Sequence, residues 1–150
     1  MNSEYLTFRV GHLYFGIPSV KVLEVTQSVE ITPVPGGIKS VRGLINLRGQ
    51  LVTAIDMHQS LGIENVENHA VQMSVILSIH GQLTCLLVDE VGDILLLAGS
   101  SFEPAPNSLS DDSKKLILGA HKLSDKLLLV LDEEQIIPTP SNAALLSNAH

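Results

Sequence analysis

A chain of 150 residues with 45% hydrophobic content can bury a core for one ordinary domain, or for two very small ones sharing an interface. A net charge of −7 argues against sequence-independent nucleic-acid binding, which draws its affinity from clustered Lys and Arg, and the single Cys85 excludes an intramolecular disulfide or a cysteine zinc site. With aromatics at 3% and no Trp, the interior must be built of Leu, Val and Ile, which points to an all-β interior.

The first residues, MNSEYLTFRV, lack the basic-then-apolar layout of a signal peptide, so a cytoplasmic protein is expected. Strands are expected at Tyr5 to Val10 and His12 to Ile17, turning at Gly11-His12, with a short helical pattern at Ser19 to Val25. Gly36-Gly37 reads as a backbone turn. The runs Gly43 to Leu47 and Leu51 to Ile55 flank Arg48-Gly49, and Gly49 supplies the positive φ of a two-residue hairpin loop. Asp56 is placed to cap a helix over Met57 to Leu61. Strands follow at Val71 to Ile79 and Gln82 to Val91, turning at His80-Gly81, and Ala98 to Ser113 reads as a loop. Strands at Leu116 to Leu123 and Lys126 to Leu131 lead to a helix over Glu133 to Ile137 capped by Asp132. The apolar stretch from Lys126 to Ile137 is too short and too acidic to span a bilayer, so no direct membrane insertion is expected.

Gly43 to Asp56 aligns with Gly119 to Asp132: Gly43 with Gly119, Leu47 with Leu123, Leu51 with Leu127, Ile55 with Leu131, Asp56 with Asp132. Each segment is a hairpin feeding a capped helix. Two related small barrels are therefore expected, dividing near 64–69, with Leu47, Ile55, Leu123 and Leu131 buried and residues 141–150 a C-terminal tail. The tip of the second hairpin is Ser124-Asp125, so the Arg-bearing tip is the special one.

No catalytic constellation is visible. His12, His58, His69, His80, His121 and His150 are scattered without ligand spacing, so no metal is expected. There is no G-x-S-x-G, phosphate-cradling loop or H-E-x-x-H. Asp89-Glu90 and Asp132 to Glu134 sit at a strand end and a helix start, where a structural role suffices.

The segment VRGLINLRGQLVTAID (Val41 to Asp56) closely resembles the signature of the CheW family of bacterial chemotaxis coupling proteins. YLTFRVGHLYFGIPSVKVLEV (Tyr5 to Val25), LLVDEVGDILLL (Leu86 to Leu97), the P-A-P of Pro104 to Pro106 and LLLVLDEEQII (Leu127 to Ile137) follow in the family's order. Gly36 to Ser40 replace a stretch where many members carry prolines and an aromatic, and Pro18 stands where an acidic residue is common, departures that bear on local conformation and partner choice. The resemblance implies one domain over about residues 1–140, built of two five-stranded SH3-like β-barrels packed on a shared core with short helices. It further implies a non-catalytic adaptor without cofactor, recruited to membrane-associated receptor arrays. Such an adaptor couples chemoreceptors to a histidine kinase. It binds the receptor's cytoplasmic hairpin tip in the groove between barrels and the kinase's regulatory domain through a barrel edge. Glu24, Gly43 and Arg48 match family positions tied to receptor binding or to holding the first barrel together, and an Arg at a turn facing a Glu on a short helix can form a two-bond pair. Val22, Val91 and Ile94 are candidate groove residues, with core packing the plainer alternative. Two other readings remain: an adaptor of another chemosensory array, such as one controlling twitching motility or biofilm, and a β-barrel module for oligonucleotides or sugars. The second lacks the aromatic platform such sites rely on.

Overall fold

The structure is a computed structural model that describes residues 2–27, 29–34, 38–64 and 72–136. Tight two-residue turns organise the chain. Strands β1 (Asn2–Val10) and β2 (Leu13–Pro18) meet at Gly11, and one 3-10 turn (Ser19–Lys21) leads into β3 (Val22–Gln27). Strands β4 (Val41–Leu47) and β5 (Gln50–Asp56) turn at Arg48-Gly49, with φ of 52° and 87°, the paired positive values of a type I′ hairpin. Helix α1 (Met57–Leu61) starts where Asp56 accepts the N–H groups of His58 and Gln59, and stops at Gly62 in the left-handed region. Strands β6 (Met73–Ile79) and β7 (Gln82–Val88) repeat the same turn at His80-Gly81, with φ of 51° and 80°. Then come β8 (Glu90–Ala98), β9 (Phe102–Glu103), α2 (Asp111–Leu116) capped by Ser110, β10 (Ile117–Lys122), β11 (Leu127–Leu131) and α3 (Glu133–Ile136).

The strands form two sheets, a six-stranded one in the order β8-β1-β2-β11-β10-β9 and a five-stranded one in the order β3-β6-β7-β5-β4. Both are built alike. In each, an edge strand lies beside one hairpin, which pairs in parallel with a second hairpin: β2 with β11, and β5 with β7. The repeat read from the hairpins is therefore real, and it extends to detail. Gly43 and Gly119 each follow a register shift in β4 and β10, and each lies where a Cβ would collide with the carbonyl oxygen of a crossing segment, Thr32 or Glu103.

Three apolar clusters fill the molecule. The largest lies between the sheets, drawing Phe8, Val10, Phe15 and Ile17 from one and Val75, Leu77, Leu86 and Val88 from the other. The alternate residues of the same strands fill the inside of each curl. Ile76, Cys85 and Leu87 join Ile45, Val52 and Ala54 in one; Leu128 and Val130 join Tyr5 in the other. Strands β6, β7 and β11 are thus buried on both faces, which is why they read as continuous apolar runs.

Several expectations are corrected. Ser19 to Val25 is not helical beyond its 3-10 turn: Val22 and Val25, stiff at χ1, pair with β6 as an edge strand. The strand expected over Gln82 to Val91 is two strands, because the chain leaves one sheet at Asp89 and enters the other as β8. The loop expected from Ala98 to Ser113 carries β9, whose pairing with β10 gives one sheet its sixth strand, and α2 begins inside it at Asp111. Leu116 closes that helix and does not open the following strand. The sheets do not divide near 64–69 either. Strands β6 and β7 lie beyond that point yet complete the sheet of β3 to β5, while β1 and β2 complete the sheet of the C-terminal strands. Ile55 and Leu131 are buried as expected, whereas Leu47 and Leu123 are half-buried because they stand next to hairpin tips. Gly36, Gly37, His69, Val71, Ile137, His150 and the tail over 141–150 lie outside the described residues.

Leu131 is fully enclosed in the core between the sheets, so Leu131→Ala is expected to cost about 2–5 kcal/mol in urea melts. Leu123→Ala is expected to cost clearly less, since half-buried Leu123 leaves a gap that water can fill.

Candidate functional site

The hairpin tip that the sequence singles out is held from two sides. Asn46 Oδ1 accepts the Gly49 N–H at 2.9 Å, fixing the turn, and Arg48 is thereby projected toward Glu24. Arg48 Nη2 lies 3.0 Å from Glu24 Oε1. Glu24 is on strand β3, not on a short helix, and its inward-facing side chain is only 27% exposed against 74% for Arg48. Oε1 is shut off from solvent and forms no hydrogen bond of good geometry, so its charge is met by the guanidinium as a close ion pair. Strands β3 and β4 are the opposite edges of the five-stranded sheet. An ion pair between one edge strand and the tip of the hairpin that forms the other can exist only if the sheet curls, so this pair sits at the closure of the barrel.

Gly43 is buried in the same sheet, with φ of 154°. A Cβ there would lie 2.2 Å from the Thr32 carbonyl oxygen. Thr32 and Leu44 exchange two backbone hydrogen bonds, at 2.8 and 2.9 Å, so Gly43 is what lets the 29–34 segment lie across β4.

The three remaining candidates part company. Val22, at the start of β3, and Val91, at the start of β8, are half-buried and pack against the core between the sheets. Ile94 is 58% exposed on the outer face of β8, with Leu96 beside it, while Leu95 and Leu97 face inward. Sequence reasoning missed Leu96, Val20, Leu23 and Val25, all exposed apolar side chains on or beside the edge strands β3 and β8. The signal for β8 was present. A run of four apolar residues in a strand buries two and shows two when only one face of that strand is covered. The 3-10 turn carrying Val20, 85% exposed, is one of the chain's two crossings between sheets. A hollow of about 420 Å³ lies there, lined by Ser3, Glu4, Tyr5, Pro18, Ser19 and Val20, and the β8 residue registered against Glu4 is Leu96.

Little here resembles reactive chemistry. Burial pushes the Cys85 thiol up to about 11, which leaves it protonated and inert near neutrality. No group of three or more His, Cys, Asp or Glu is arranged to hold a metal among the described residues. None of the described helices is long and apolar enough to cross a membrane.

Comparison with known proteins follows the same line. The CheW-like domain model matches residues 4–140. The chain is 26% identical over 141 residues to the chemotaxis protein CheW of Rhizobium meliloti, covering 94% of this chain and 91% of that one. It is 27% identical over 142 residues to the probable chemotaxis protein CheW of Rhizobium etli, covering 94% and 92%. Among solved structures, the scaffolding protein CheW of Thermoanaerobacter tengcongensis superposes with a TM-score of 0.78 at 27% identity, covering 88% of this chain and 90% of that one.

Because Arg48 is mostly in water, Arg48→Ala is expected to cost less than about 1 kcal/mol in thermal melts, and the double change Glu24→Arg with Arg48→Glu to recover part of what either single change loses. Gly43→Ala is expected to cost more, roughly 2–3 kcal/mol, since it forces the Thr32 bridge open and loses its two hydrogen bonds.

Proposed function

Since the chain belongs to the CheW-like domain family, we propose that it is a non-catalytic adaptor of chemotaxis signalling that couples chemoreceptors to a histidine kinase. The observation that carries this reading is the family match over residues 4–140, together with the like fold of a scaffolding CheW protein. The surface suits the role. An adaptor gains affinity by burying small apolar patches around a few fixed charges, and the exposed Val20, Leu23, Val25, Ile94 and Leu96 stand on or beside edge strands that a partner can reach. The receptor's cytoplasmic tip is assigned to the groove at the crossing between the sheets, where Val20 borders the hollow and Leu96 stands in register with Glu4 of its lining. The kinase's regulatory domain is assigned to a barrel edge. Val22 and Val91 contribute through the core between the sheets, against which they pack, while Ile94 is available for direct contact. Glu24 and Arg48 act by closing the first barrel, and Gly43 by seating the segment that crosses it. The protein is taken to work in the cytoplasm, recruited to receptor arrays at the membrane.

Affinity purification of the tagged chain from its own cells is expected to bring down a histidine kinase and chemoreceptors; nucleic acid in their place would reject the adaptor reading. Ile94→Asp is expected to weaken receptor capture about tenfold or more while leaving the melting temperature and kinase capture near wild type. Equal loss of both partners with the fold intact would remove the groove assignment.

A further inference from the structure

The hollow at the crossing that carries Val20 holds a charge with no counterpart in the fold. Glu4, on β1, is an exposed member of its lining, and the other lining residues, Ser3, Tyr5, Pro18, Ser19 and Val20, bring no second charge. Its Oε1 accepts the Ser19 hydroxyl at 2.5 Å, a bond from β1 to the 3-10 turn that follows β2. The carboxylate is thereby held in place. Among the described residues no Lys, Arg or His side-chain nitrogen lies within 4.0 Å of it, Lys21 of the same turn included. Glu24, Asp56, Asp89 and Glu90, in contrast, each face an Arg.

The surroundings of Glu4 are apolar. Residues directly opposed across an antiparallel pair point to the same face of the sheet, and Glu4 opposes Leu96 as Leu6 opposes Ile94. Leu96 is 65% exposed, and Val20, next to Ser19 in the turn, is 85% exposed. The carboxylate is therefore bordered by open aliphatic side chains from two elements, Leu96 from β8 and Val20 from the crossing.

A partner that buries Val20 and Leu96 must also strip water from Glu4. The Ser19 hydroxyl replaces one of the hydrogen bonds that a carboxylate makes in water, and the rest must come from whatever docks, since a carboxylate buried without a counter-charge opposes the burial that apolar contact favours. A neutral apolar segment cannot meet that demand. A Lys ammonium or an Arg guanidinium meets it with a charge-assisted bond. We propose that Glu4 is a specificity-determining residue of the groove, selecting a receptor tip that presents a Lys or Arg side chain among aliphatic residues. This rests on the reading of the groove as the receptor site and names the chemistry that the site recognises. The charge of the whole chain agrees: at −7 it draws basic segments, and Glu4 supplies the fixed point at which that attraction becomes specific. A segment with Asp or Glu at the same place is rejected, because two carboxylates would meet where water has been excluded.

The probe is the cytoplasmic fragment of a chemoreceptor from the same cells, captured by the whole chain. Capture by the wild type is expected to weaken as sodium chloride is raised. Glu4→Gln, which keeps the shape and still accepts from Ser19, is expected to capture the fragment about tenfold less at low salt and with a shallower salt dependence, while kinase capture and the melting temperature stay near wild type. Glu4→Lys is expected to abolish capture, and exchange of one receptor Lys or Arg for Glu to restore it. Capture by Glu4→Gln at the wild-type level and with the wild-type salt slope overturns the proposal, as does the absence of any restoring exchange in the receptor. Ile94→Asp tells which statement has failed. If it loses the receptor while Glu4→Gln keeps it, the groove stands without the charge filter; if the wild-type chain captures no receptor, the adaptor reading and the proposal fall together. Should Glu4→Lys fail to fold, the salt slopes of wild type and Glu4→Gln decide.

Discussion

Everything in this fold depends on one apolar layer shared by two curled sheets. Phe8, Phe15 and Ile17 of one sheet meet Leu77, Leu86 and Val88 of the other, and neither set has another surface to bury itself against. Because the same strands also fill the insides of the curls with Ile76, Cys85, Leu87, Leu128 and Val130, three small cores are stacked within a single domain of modest size. Aliphatic side chains suffice for this. Each layer is about one side chain deep, and β-branched or Leu residues pack such layers without the bulk of Trp. The layer also decides where function can lie, since the apolar surface left over is confined to edges and crossings.

Repetition with divergence explains why one tip matters more than its twin. The hairpins β4-β5 and β10-β11 share a register shift, a glycine under a crossing segment and a carboxylate that caps the next helix. At the tips the likeness ends. Asn46, Arg48 and Gly49 build a type I′ turn whose guanidinium reaches the far edge of its own sheet, while Ser124 and Asp125 carry no cation to do the same. The sheet of β10-β11 gains β9 at its edge instead, so the two halves finish their edges by different means: one by charge, the other by an extra strand.

How much of this was legible in the sequence follows from how local each feature is. Turns such as Arg48-Gly49 and His80-Gly81 are decided by neighbouring residues, and both were readable, as were the Asp56 cap and the Glu24–Arg48 pair that the family resemblance pointed to. Strand β3 was misread because an edge strand of mixed Val, Leu, Glu, Thr and Gln has no strict alternation; only its pairing with β6 makes it a strand. The division between the halves was misread for a deeper reason. Parallel pairing of β2 with β11 joins residues more than a hundred positions apart, and no local pattern announces it. A contact of buried His58 with Asp89, at 2.9 Å, was invisible for the same reason, because it exists only where the chain changes sheets.

The order of assembly is the other side of that topology. Strands β3 to β7 occupy one continuous stretch of chain, so their sheet can form as soon as that stretch is available, at modest loop-closure cost. The first hairpin is made before all of them and has no sheet to join until β8 and β11 exist. During synthesis its Phe8, Phe15 and Ile17 stay uncovered until β6 and β7 supply Leu77, Leu86 and Val88. A nascent chain interrupted before β7 is thus left with an adhesive hairpin.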